Sequence, residues 1–244
     1  AKLDVENYPM IMDPDSANDV IAAIQENFDG EEVSQRELFT TLPNMKGEDR
    51  WNGVETEDGL QSFKEIKGVI LYIGSTRARF EGEYGRGSKI PLCTSADGIT
   101  GIANETVENG GPGGACIDCE YSQFDASGNP PECQHKRPMY VLVPDVSPVL
   151  PVIINVPPTN FNNIKKYKAQ LARFGNRLYD VETKFTLRPD KTQNQMDTSI
   201  LVMETVSNIK KTDPETHKMI LQFRSTLLPY MQPESVKVPD EAAA

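Results

Sequence analysis

A mainly β fold of the α+β class is what this sequence predicts, and three observations predict it. Segments rich in β-branched and aromatic residues recur at residues 67–80, 139–143, 150–156, 178–187 and 198–206. A single amphipathic helix stands between the third and fourth of them. A glycine-rich polar stretch from Glu81 to about Gln134, almost devoid of periodic apolar residues, separates the first from the second and contains all four cysteines. Strand, long insertion, strand, strand, helix, strand, strand is the element order of an OB-like five-stranded barrel, in which the loops after the first and fourth strands flank the ligand-binding face.

Each element has a local reason. Gly68-Val69-Ile70-Leu71-Tyr72-Ile73 continues past an expected bulge at Gly74 into Thr76-Arg77-Ala78-Arg79-Phe80, giving one long first strand. A Pro/Asp/Ser turn joins the second and third strands. The central helix begins at Thr159 or Asn160, aligns Ile164, Tyr167, Leu171 and Phe174 on one face, and ends at Gly175. Before the barrel, Asp15 or Ser16 caps a helix with Val20, Ile21, Ile24 and Phe28 on one side, and Ser34 to Glu37 has the capping-box form of a second. After it, Thr212-Asp213-Pro214-Glu215 starts a helix striped with Met219, Ile220, Phe223 and Leu227 and expected to end before Pro229. The organisation is thus an acidic helical N-terminal arm (1–66), the barrel (67–208, insertion 81–135), and a C-terminal helix and tail (209–244).

Charge separates these regions. The formal net charge of −11 lies entirely in residues 1–66, with 16 acidic and 5 basic side chains, while residues 67–244 hold 20 of each. Residues 134–191 carry ten Lys or Arg, among them Lys136, Arg137, Lys165, Lys166, Lys168 and Arg173, against four acids. That local excess suits phosphate. A helix-turn-helix reading of the two N-terminal helices fails on charge, since Glu31, Glu32 and Glu37 face one Arg36; the arm suits a replication or recombination partner instead. No apolar run reaches membrane-spanning length, and the N-terminal residues lack a signal peptide's basic start and apolar stretch, so a cytoplasmic protein, in a bacterial host cell, is expected.

Cys116-Ile117-Asp118-Cys119 is a C-x2-C knuckle, whose spacing lets two thiolates reach one tetrahedral ion, and Cys93 and Cys133 supply two more ligands. A loop of this length without its own core needs a tie, and a structural zinc ion provides one. Two disulfides are the rival, disfavoured in a reducing compartment; an iron–sulfur cluster uses the same thiolates and stays open. Four thiolates leave no open position for catalysis. Gly82 to Lys89 has Ser88 before Lys89 and Ile90-Pro91 after it, the reverse of a phosphate loop, and no H-E-x-x-H, G-x-S-x-G or carboxylate pair occurs. A non-enzymatic protein is expected.

Binding of single strands needs a basic groove with aromatic platforms. Arg77 and Arg79 alternate onto one face of the first strand with Tyr72 and Phe80 in the same segment; Arg86 and Lys89 follow in the loop; Lys136, Arg137 and Tyr140 open the second strand; Lys184 and Arg188 share a face of the fourth. Single-stranded DNA is the expected ligand, with RNA as a second candidate. The alternative is a protein-interaction or assembly subunit whose barrel holds a polypeptide.

Trp51, Gly68-Val69-Ile70, Arg77-Ala78-Arg79-Phe80, Cys93-Thr94-Ser95-Ala96-Asp97-Gly98 with Gly101, the C-x2-C, Cys133, and Leu150-Pro151 through Pro157-Pro158-Thr159 together resemble the zinc-containing, OB-fold single-stranded DNA-binding proteins of phages and mobile elements. The resemblance covers about residues 50–208. It implies DNA binding in replication or recombination, with zinc only structural. Trp is common in that family where this chain has Phe80, a smaller stacking surface, and Val238-Pro239-Asp240-Glu241-Ala242 lacks the acidic, aromatic-ended tail of bacterial single-strand binders.

Overall fold

The computed structural model describes residues 16–29, 35–81, 90–107, 110–147, 149–192 and 195–232, together with Leu3 and Tyr8. In chain order the elements are α1 (Ser16–Asn27), α2 (Gln35–Leu38), β1 (Trp51–Thr56), β2 (Gly59–Phe63), β3 (Glu65–Ile73), β4 (Thr76–Phe80), β5 (Pro91–Ser95), β6 (Thr100–Ala103), β7 (Gly114–Ala115), β8 (Gln134–Leu142), β9 (Val152–Val156), α3 (Phe161–Arg173), β10 (Val181–Lys191), β11 (Asp197–Asn208), α4 (Ile209–Thr212) and α5 (Pro214–Met231). The chain divides into two units, residues 1–73 with 137–231 and residues 74–136 with 232–244. The fold is mainly β, with antiparallel ladders and a few helices.

In the first unit the strands lie in the order β9, β8, β3, β10, β11, every neighbouring pair antiparallel. The two end strands are joined by no ladder among the described residues. The buried amide of Asn160 lies there instead: its Nδ2 donates to Ser199 O at 2.8 Å, and its Oδ1 accepts from Leu201 N at 2.7 Å. Asn160 ends a 3-10 turn just before α3 and is fully buried. Two backbone groups of β11 that would otherwise be orphaned in the core thus have partners.

The sheet is covered on both faces. One face carries Ile66, Ile70, Met139, Val141, Ile154, Phe185 and Leu201, packed with Trp51 and with Ile164, Tyr167 and Leu171 of α3. The Tyr167 hydroxyl sits 2.8 Å from Thr183 Oγ1, so the polar tip of this buried ring has a partner. The other face carries Val69, Leu71, Tyr140, Leu142 and Ile153 beneath Ile21 of α1, Phe39, and Ile220, Phe223 and Leu227 of α5. Helix α5 is also held by polar contacts. Arg224 Nε donates to Leu71 O at 2.8 Å, and the buried Asp180 carboxylate meets His217 Nε2 at 2.8 Å and the Arg177 N–H at 2.8 Å.

Three elements differ from the sequence reading. The long first strand is two strands, β3 and β4, separated at Gly74-Ser75. The C-terminal helix continues through Pro229 to Met231; a proline there removes one helical N–H, while burial of Leu227 and Met231 holds the final turn. Residues 51–63, inside what the sequence reading assigned to a helical arm, form the β1–β2 hairpin, with Trp51 opposite Phe63. No helix among the described residues is long and apolar enough to cross a membrane.

The second unit is built on short antiparallel strands: β8 (by residues 134–136), β4, β5, β6 and β7 in spatial order. The sequence reading had placed no strand between Glu81 and Gln134. The Asp97 carboxylate organises the β5–β6 turn by accepting from Ile99 N, Thr100 N and Ser95 Oγ, which holds its pKa below the usual carboxylate range.

Candidate metal centre and nucleic-acid interface

The four cysteines arrive from four places in the second unit. Cys93 lies in β5, Cys116 follows β7, Cys119 precedes the 3-10 turn Glu120–Ser122, and Cys133 stands one residue before β8. Backbone hydrogen bonds fix three of them: Cys116 N donates to Ile99 O at 2.7 Å, Ser122 N to Cys119 O at 3.0 Å, and Cys133 N to Tyr121 O at 2.9 Å. All four are free of disulfides and line one cavity of about 20 Å3, together with Arg79, Gly101, Gly113, Tyr121 and Ser122. A space of that size suits one ion- or water-sized occupant.

The donor set fits a soft divalent ion. Burial pushes the Cys93 thiol up, the Gly113 N–H tempers it, and the Cys116 and Cys119 thiols raise it further; Cys133 is raised by burial, tempered by the Ser122 hydroxyl and Arg77, and raised again by Cys116 and Cys93. Thiols that oppose one another's ionisation in this way are relieved by a cation among them. Two glycines make room: a Cβ on Gly101 would come within 3.1 Å of Cys93 Sγ, and one on Gly111 within 2.6 Å of Cys93 Cβ. Ser122 Oγ is buried at the cavity without a hydrogen-bond partner of proper geometry. As the side chains stand, no three His, Cys, Asp or Glu among the described residues are drawn in tightly enough to hold an ion. The four cysteines are gathered around one cavity.

The residues expected to contact nucleic acid are brought together only in part. On β4, Arg79 is paired to Glu132 at 2.9 Å and lies 3.3 Å over the Tyr121 ring, and Arg77 Nε donates to Gly98 O at 3.1 Å. Both arginines face the cysteine-bearing segment. Phe80 is half-buried, as are Lys136 and Tyr72, whose ring lies 6.0 Å from that of Tyr140. Tyr140 itself is 1% exposed and packs edge-on against Phe39 at 5.3 Å, so it has no face to offer a base and is withdrawn from the interface. Lys184 is bound to Glu204 at 2.6 Å. Arg188 is exposed. Arg86 and Lys89 lie outside the described residues.

Arg137, in the first unit, has a different setting. Its guanidinium lies 4.6 Å over the ring of Phe161, the first residue of α3. Lys165 and Lys168 follow Phe161 at i+4 and i+7 and share its helix face. Lys168 is lowered from the usual lysine range by desolvation and then by Arg137. Helix α3 carries Lys165, Lys166, Lys168 and Arg173 and no acid, and neither these cations nor Arg137 form an ion pair among the described residues. The sequence reading did not single out Phe161 and counted the helix lysines only as charge. Their signal was present: a 13-residue helix with four cations, no acid and an aromatic on the cationic stripe.

Comparison with family models, curated proteins and solved structures finds no match for this chain.

Proposed function

We propose that this chain is a single-stranded DNA-binding protein of a phage or mobile element, on an OB-type barrel, with a structural zinc ion held by Cys93, Cys116, Cys119 and Cys133. The observation that carries the binding reading is the acid-free α3 stripe, where cations that form no ion pair among the described residues flank Phe161 and its stacked Arg137. Cations without carboxylate partners among the described residues release counterions to a polyanion, and an aromatic beside them adds a stacking contribution. The strand order, with β3 between β8 and β10 and no ladder between β9 and β11 among the described residues, supports a partly open OB-type barrel. In this reading the zinc ties down the insertion and takes no part in chemistry.

Fluorescence anisotropy of a labelled poly-dT oligonucleotide, titrated with the full chain across a salt series, tests it. Binding is expected at micromolar affinity or tighter and to weaken steeply with salt; no binding at about 50 mM salt sinks the proposal. Arg137→Ala and Lys168→Ala should each weaken binding about five- to tenfold and lower the salt slope by about one. Phe161→Ala should cost on the order of 1–3 kcal/mol with the salt slope unchanged, because it removes stacking rather than charge. Lys184→Ala, already neutralised by Glu204, is expected to change affinity less than about twofold. A poly-U oligonucleotide run alongside decides between DNA and RNA.

A second reading has one observation in its favour. Ile99, Ile117 and Phe124 of the second unit are 70%, 77% and 69% exposed, more apolar surface than so small a unit needs. A protein partner seated there would make the chain an assembly subunit, and its mark would be the absence of any oligonucleotide affinity.

A further inference from the structure

Among the described residues, Arg79 is the one charged side chain that lines the cavity of the four cysteines. The sequence reading gave it to nucleic acid, yet its surroundings leave little of it to give. In the β4–β5 ladder Arg79 stands directly opposite Cys93. Its Nε and terminal nitrogen both donate to Glu132 Oε2, at 3.0 and 2.9 Å, and the Tyr121 ring covers one face of the guanidinium at 3.3 Å. Only 18% of the side chain is exposed.

Each partner of Arg79 is tied to a cysteine. Glu132 is the residue before Cys133, and Tyr121, two residues past Cys119, accepts the Cys133 N–H on its carbonyl oxygen. One side chain thus joins the strand that carries Cys93 to the segment that carries Cys119 and Cys133. It also sets a positive charge beside a centre that needs one, since a divalent ion with four thiolates carries a net double negative charge and the site is partly dry.

We infer that Arg79 is a positioning residue of the thiol centre: clamped by Glu132 and Tyr121, it aligns Cys93 with Cys119 and Cys133 and offsets the negative charge of the loaded site. The inference rests on the zinc reading above. Groups around a metal's ligands fix their orientation, and losing one typically costs 10- to 100-fold in metal affinity.

The test is metal affinity of the full chain, measured by competing zinc against a chromophoric chelator and by the visible bands of the cobalt-substituted protein. Arg79→Gln is expected to bind zinc at least about tenfold more weakly than wild type, with broadened cobalt bands. Arg79→Lys, which keeps the charge, should recover part of that loss, and Tyr121→Leu, which keeps the arginine but removes its platform, should show a smaller loss than Arg79→Gln. With zinc saturating, Arg79→Gln should bind the poly-dT oligonucleotide within about twofold of wild type. Zinc affinity within twofold of wild type in both Arg79 variants overturns the inference and leaves the zinc reading standing. So does a fall in oligonucleotide affinity and salt slope with zinc affinity unchanged. A wild-type chain that takes up no zinc or cobalt removes both together.

Discussion

Replacing Cys116 with serine is expected to unfold residues 91–133 and lower zinc affinity about a hundredfold or more, while the core around Ile70, Phe185 and Leu201 stays folded. The second unit has too little apolar burial to fold without a tie. Among the described side chains of residues 74–136, the buried apolar ones are Leu92 and Cys116. Short strands with so little to bury cannot offset roughly 1–2 kcal/mol of backbone ordering per residue. A structural zinc contributes on the order of 10–16 kcal/mol at neutral pH, enough to hold a small unit that is otherwise unfolded. Serine lacks a thiolate and leaves three ligands. Amide hydrogen exchange, read region by region with and without a strong chelator, is the measurement: protection of residues 91–133 should vanish on chelation and in the variant, and protection of β3, β8, β10 and β11 should persist. A metal-free chain with full protection throughout contradicts the zinc assignment.

Asn160→Ala is expected to destabilise the first unit by about 2–5 kcal/mol, seen as a lower midpoint in chemical denaturation. The residue is fully buried, and its amide serves two backbone groups of β11 that no strand ladder reaches, Ser199 O and Leu201 N. Alanine leaves both buried and unpaired, at about 1–3 kcal/mol each, with some relief if water enters. Asn160→Asp keeps the acceptor for Leu201 N but sets a carboxylate against the Ser199 carbonyl, so it should be no better than alanine. A loss below about 1 kcal/mol would mean that the seam between β9 and β11 is satisfied in another way.

Much of the first unit was legible in the sequence because its signals are local. Thr212-Asp213-Pro214-Glu215 announced α5, the spacing of Ile164, Tyr167 and Leu171 announced the buried face of α3, though Phe174, expected on that face, stands beyond the helix end and is 69% exposed, and the order of the five main strands followed from β-rich runs between turns. Tyr140 was misread for a reason that can be stated. Alternation tells inside from outside only when one face of a sheet is wet; Met139-Tyr140-Val141-Leu142-Val143 is a continuous apolar run, the mark of a strand covered on both sides. The strands β5, β6 and β7 left no alternation to find, since their pairing rests on ladder hydrogen bonds and on glycines that fit against Cys93. For the site, the C-x2-C spacing pointed to a metal, but the meeting of Cys93, Cys116, Cys119 and Cys133 on one cavity is tertiary. The same is true of Arg79. Periodicity put it on a common face with Arg77; that the face is closed by Tyr121 and Glu132, some 42 and 53 positions further along, no local pattern could carry.

Within the second unit, the segment 74–136 begins and ends on neighbouring strands, with Thr76 of β4 paired to Lys136 of β8. Its two ends are therefore fixed side by side by their own hydrogen bonds, whatever the length of chain between them. A segment with this property is a cassette: it can be lengthened, shortened or exchanged for a tight hairpin turn at a loop-closure cost that grows only logarithmically with its length. Variation among chains of this architecture would then concentrate between positions 81 and 133, where the four cysteines can be gained or lost as a set, while the strands on either side keep their register.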